Sequence, residues 1–123
     1  VLEGTACAVR QITEALAQAG IAPTRLTLTG GGARSTLWPQ ILADALARPL
    51  SVGVCPGFPG FEECVGAARC AWVALGRFGS LDAAIAAGAP PMTTIEPSTP
   101  GVAAMDRLYT RFTTALASGV PAA

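Results

Sequence analysis

Arg25-Leu26-Thr27-Leu28-Thr29 runs straight into Gly30-Gly31-Gly32 and then into a helix-like stretch, and this junction constrains the chain more than any other segment. The alternation of Leu26 and Leu28 with Thr27 and Thr29 predicts a short strand with one apolar face. Glycine lacks a Cβ, so the run can take positive φ values and admit another group close to the main chain. A helix starting directly after the turn would add unpaired N–H groups and a positive dipole end, the elements of a phosphate cradle. The same run serves equally as a tight strand-to-helix turn that holds no ligand.

The flanks supply the periodicity. Leu2, Ala6, Val9, Ile12 and Leu16 recur at helical spacing, and Gly20 suits the position just past the helix end. Trp38, Ile41, Leu42, Ala45 and Leu46 share a face of a second helix that stops at Arg48-Pro49. Ser35 or Thr36 is its N-cap, and a Thr36 cap puts Pro39 in the first turn, where its absent N–H breaks no bond. Leu50 to Val54 reads as a second strand, followed by the Pro- and Gly-rich loop Cys55 to Gly60. A third helix runs from Glu62 to Leu75 and ends at Gly76; a short one, capped by Ser80 with Asp82 in its first turn, ends at Gly88. Ala89 to Gly101 contains four prolines and reads as a surface loop, before a last helix carrying Leu108, Phe112 and Leu116.

Two strands joined by a helix are expected to be parallel. The class is α/β, with short parallel strands flanked by helices. Two such strands make a poor sheet, so partner strands are expected outside this chain. An unpaired edge and uncovered apolar faces on the first and third helices then predict self-association.

The chain has 123 residues, zero formal net charge and 13% charged residues. That balance excludes binding driven by a basic patch, whether to nucleic acid or to an anionic membrane, and no apolar run reaches the length of a membrane span. The chain opens without Met and without a basic leader, as part of a longer cytoplasmic protein would. Cys7, Cys55, Cys64 and Cys70 match no zinc spacing and no His is present, so they read as small, mostly buried thiols in a reducing compartment, with disulfides as the alternative.

Glu3-Gly4, Leu28 to Ser35, Leu37-Trp38, Gln40, Ala43-Asp44, Arg48-Pro49, Glu62 or Glu63 before Gly66-Ala67-Ala68, Ala71, and Gly79-Ser80-Leu81 occur together. In that order and spacing they resemble the C-terminal region of the FGGY carbohydrate kinases, especially the xylulokinase-like members. The resemblance extends over essentially the whole chain. It implies that residues 1–123 are a single domain, the later part of a ribonuclease-H-like (actin-like ATPase) domain that contributes to a nucleotide site. It further implies that Gly30, Gly31, Gly32 and Ala33 lie against ATP, that Ser35 or Thr36 is near the adenosine end, and that Mg²⁺ accompanies the nucleotide. The family's aspartate base, its sugar-binding residues and its first phosphate-binding hairpin would lie upstream of Val1, which leaves no catalytic or metal-binding residue here. One wall of such a site is not expected to catalyse by itself. The loop Pro56 to Phe61 and the placement of the glutamate before Gly66 depart from the family pattern.

Individual side chains divide the same way. Asp44 reads as a structural hydrogen-bond acceptor, and Gln40 either steadies the glycine loop or is an exposed helical residue. Arg34 reads as a solvated arginine with phosphate contact as its alternative. Trp38 and Trp72 read as core residues. Glu62 and Glu63 complement a helix dipole. A self-standing protein-interaction module is the competing function. A dinucleotide-binding fold fits less well, because the glycines are consecutive rather than spaced as G-x-G-x-x-G.

Overall fold

The computed structural model describes residues 1–53, 62–88 and 91–119. Among these residues five α-helices and three strands follow in the order α1 (Leu2–Gln18), β1 (Leu26–Leu28), α2 (Trp38–Leu46), β2 (Leu50–Gly53), α3 (Glu62–Ala74), α4 (Leu81–Ala86), β3 (Met92–Ile95) and α5 (Thr99–Ala117). A 3-10 turn, Gly31–Arg34, separates β1 from α2.

β1 and β2 are parallel, with Leu26 opposite Leu50 and Leu28 opposite Val52. β3 then lies antiparallel on the far side of β2, pairing Ile95 with Leu50 and Met92 with Gly53. The expected surface loop from 89 to 101 therefore contains a strand. Its β-branched Thr93-Thr94-Ile95 fits a pleated edge, and Pro91 and Pro97 fall outside the paired residues, where a missing N–H removes no ladder bond. One of the partner strands expected elsewhere is thus supplied from within the chain. Ala89, Pro90 and the loop Cys55 to Phe61 lie outside the described residues.

α2 is the hub. It packs against β2 and β3 and also against α1 and α5, with α1 and α5 touching each other. Ala6 and Cys7 of α1 meet Leu42, Ala43 and Ala45 of α2, Leu50 of β2 and Met105 of α5 in one buried cluster. Small residues at these crossings let the backbones approach closely. Around that cluster Arg10 joins helices: its guanidinium donates to Asp106 at 2.6 Å and to Glu14 at 3.0 Å, and lies 4.3 Å from the Tyr109 ring centre.

Helix ends follow local rules. Gly20 and Gly76 take positive φ at the ends of α1 and α3, as their positions require. Ser80 caps α4 by accepting from the Ala83 N–H at 3.1 Å, and Ser98 caps α5 by accepting from the Gly101 N–H at 3.2 Å. α2 ends instead on Ala47 at φ 50°, before the Arg48-Pro49 stop. The Arg48 guanidinium donates to the Pro23 carbonyl at 2.6 Å and ties this end to the loop before β1.

Of the cysteines, Cys7 is buried as expected, and burial raises its thiol pKa; Cys64 and Cys70 on α3 are exposed, contrary to the expectation of mostly buried thiols. Cys55 lies outside the described residues. Trp72 is likewise 46% exposed and Leu75 77%, because α3 packs extensively on α4 rather than on the central cluster. Trp38, by contrast, packs against the core as expected.

Candidate functional site

The glycine run sits at the C-terminal end of β1, the end of a parallel strand where open α/β sheets place their ligands. Each glycine has a different reason to be there. Gly30 adopts φ 75° and ψ −162°, a conformation essentially closed to residues with a Cβ. A Cβ on Gly31 would meet nothing within 4 Å, so this position presents bare backbone outward. A Cβ on Gly32 would lie 3.0 Å from Trp38 Cδ1 and 3.1 Å from Nε1, so Gly32 makes room for the indole.

The run does not lead directly into α2. The 3-10 turn comes first, its Ala33 N–H donating to the Gly30 carbonyl at 3.1 Å, and α2 begins only at Trp38. The positive end of the α2 dipole is therefore displaced from the glycines, which corrects the expectation of a helix beginning at the turn. Ser35 performs the capping from two residues before the N-cap position: its Oγ accepts from the Leu37 N–H at 3.3 Å and the Trp38 N–H at 3.0 Å. Thr36 makes no cap, and Pro39 stands in the first turn as expected.

Beside this turn lies an open cavity of about 350 Å³. Ala33, Ser35, Thr36 and Pro39 form one wall; Val52, Pro91, Thr93 and Ile95 form the other. The structure thus brings three of the six expected site residues to one cavity, while Gly30, Gly31 and Gly32 line none of it and flank it through the chain. The second wall escaped the sequence reading because β3 did. Thr93-Thr94-Ile95, a β-branched run between prolines, was the signal available.

Asp44 and Gln40 serve a joint rather than the glycine loop. Asp44, 8% exposed, accepts at Oδ1 from the Ser98 N–H at 2.7 Å and from Gln40 Nε2 at 3.0 Å. Asp44 is therefore the structural acceptor that its helix position suggested. Gln40 is neither an exposed residue nor a support of the glycine loop, since Nε2 also donates to the Glu96 carbonyl at 3.0 Å. Arg34 is exposed at the end of the 3-10 turn. Glu62 opens α3, as expected of an acid at a helix start, and the side chains of Glu62 and Glu63 lie outside the described residues. Among the described residues no group of three His, Cys, Asp or Glu could hold a metal ion, and no helix is long and apolar enough to cross a membrane.

Residues 1–75 match the model of the FGGY family of carbohydrate kinases, C-terminal domain. The chain belongs to the FGGY carbohydrate kinases. Two solved structures extend the similarity beyond that segment. Xylulose kinase from Rhodospirillum rubrum is 32% identical with a TM-score of 0.69, over 95% of this chain and 23% of its own. A protein from Brucella ovis described as a xyloylose kinase is 35% identical with a TM-score of 0.68, over 92% of this chain and 22% of its own. The chain thus spans less than a quarter of each kinase and has the fold of an FGGY C-terminal region of xylulokinase type. No curated protein matches it.

Proposed function

We propose that this chain forms one wall of the ATP site of a sugar kinase that transfers the γ-phosphate to a hydroxyl of a ketose such as xylulose. The observation that carries this reading is the bare backbone at Gly31, next to a cavity walled by Ala33, Ser35 and Thr36, in a chain about one-third identical to kinases of that description. In this reading Gly30 shapes the turn, Gly31 lets phosphate oxygens reach the main chain, and Ser35 and Thr36 face the nucleoside end. Phosphoryl transfer depends on holding donor and acceptor in line and stabilising charge from several sides. The sugar and the base that takes its hydroxyl proton are therefore assigned to other parts of the whole protein, and this chain alone is expected to be inactive. The described residues offer no cage for Mg²⁺. Mg²⁺ commonly binds through substrate phosphates with few protein ligands, and would accompany the nucleotide in that way.

Gly31→Val in the full-length protein tests the reading, because the added Cβ meets nothing within 4 Å among the described residues and stands where the proposed ligand would approach. The Kd for MgATP should rise about tenfold or more, with the affinity for xylulose within about twofold of wild type. Equal loss of both affinities in a normally folded protein would remove the nucleotide role.

A further inference from the structure

Apart from Val52, the two walls of the cavity come from segments more than fifty residues apart, and one side chain bridges them. Pro39 and Ile95 line opposite walls, and the residue after each, Gln40 and Glu96, are joined by the Gln40 Nε2 hydrogen bond to the Glu96 carbonyl at 3.0 Å. The second proton of the same amide goes to Asp44 Oδ1, one helical turn further on. Asp44 Oδ1 in turn holds the Ser98 N–H at 2.7 Å, and Ser98 Oγ lies 3.2 Å from Oδ1 and 3.3 Å from Oδ2. The joint between β3 and α5 is thus pinned at Glu96 and at Ser98 to the helix that follows the glycine turn.

β3 needs such a pin. It is four residues long and, among the described residues, pairs with β2 alone, so the ladder fixes its register but leaves its tilt toward α2 to other contacts. The two N–H groups of the Gln40 amide satisfy both acceptors at once. A glutamate would set a carboxylate against Asp44 and against a carbonyl oxygen, and an aliphatic side chain would withdraw the donor from the Glu96 carbonyl and leave Asp44 Oδ1 to Ser98.

We infer that Gln40 is a positioning residue: by holding Glu96 and Asp44 together it sets the distance between the cavity walls, and through that distance the affinity for the nucleotide. The inference rests on the nucleotide reading of the cavity given above. Asp44 takes part through its Oδ1 oxygen and not through its charge. An asparagine keeps that acceptor and can donate from Nδ2 to Ser98 Oγ. Gly101 belongs to the same device, because a Cβ there would collide with the Asp44 carboxylate.

The test uses the full-length protein, with calorimetric Kd values for MgATP and steady-state KM values for MgATP and xylulose. Gln40→Met should raise the nucleotide Kd and KM about tenfold while kcat and the sugar KM stay within about twofold. Gly101→Ala, which displaces Asp44 from the other side, should reproduce that selective loss. Asp44→Asn should leave the nucleotide KM within about threefold of wild type, the rescue that a role for the acceptor rather than the charge demands. Gly31→Val, run alongside, separates the two ideas. If it weakens MgATP binding and Gln40→Met does not, the positioning role is overturned and the nucleotide reading stands. If neither weakens it, the nucleotide reading falls and takes the inference with it. Uniform loss of kcat and of both affinities in Gln40→Met and Gly101→Ala, with a lowered Tm, assigns the clamp to folding alone and overturns the inference.

Discussion

α2 and α3 both carry an apolar stripe at helical spacing, yet one is the centre of the molecule and the other is open to solvent. On α2, Leu42 is 5% exposed, Ala43 0% and Ala45 1%, because sheet and helices close over that face. On α3, Trp72 touches Phe78 at 6.1 Å between ring centres and otherwise keeps nearly half its surface, and Leu75, the residue just past the end of the helix, keeps more. α4 adds Leu81 and Ile85 to the same uncovered region. The difference teaches that periodicity specifies a face in need of cover, whereas only the tertiary contacts say what covers it.

The sharpest way to break this comparison is to make the same change on both helices. Leu42→Ala should cost about 2–5 kcal/mol, read from the urea midpoint, since the cavity it leaves is enclosed on all sides. Leu75→Ala should cost no more than about 0.5 kcal/mol. Comparable losses at the two positions would mean that the α3 face is covered in solution.

Association sharpens it further. The 123-residue chain is expected to self-associate, and Trp72→Ser with Leu75→Ser should shift its sedimentation velocity toward the monomer. Unchanged association would move the adhesive surface to the sheet edges or to Leu2, Ile12 and Leu16 of α1, which are also exposed. That possibility qualifies the expected α1 face, which is covered around Ala6 and Cys7 but not along its whole length.

The smallest effect concerns the polar seam of the packed half. The Tyr109 hydroxyl donates to Glu14 at 2.6 Å, and this bond, followed by that from Arg10, lowers the Glu14 pKa. A lowered folded pKa stabilises above the ordinary carboxylate value, near 4.5, and the contribution disappears as pH falls through the folded value. Glu14 is half exposed, so Glu14→Gln should cost only about 0.5 kcal/mol at neutral pH. Denaturation curves of the two proteins should converge in acid, well below 4.5. A difference that persists there would assign the effect to packing against Tyr109 instead of to charge.

What the sequence by itself determined was local: the helical stripes, the glycines that end α1 and α3, the Ser80 cap, the parallel β1–β2 pair and the family to which the glycine run belongs. The stripes, the end glycines and the cap depend on backbone preferences and on neighbours within a turn or two; the parallel pairing followed from the helix between the strands, and the family from motifs in order along the chain. The tertiary structure alone decided that a Pro-rich stretch hides β3 and that Gln40 bridges to Glu96. It also decided that Gly32 yields space to Trp38 while Gly31 faces outward, although the two are indistinguishable as letters. The physical reason is common to all of these. A hydrogen bond or a steric vacancy between residues distant in the chain has no periodicity to betray it, and exists only once the backbone has brought its partners together.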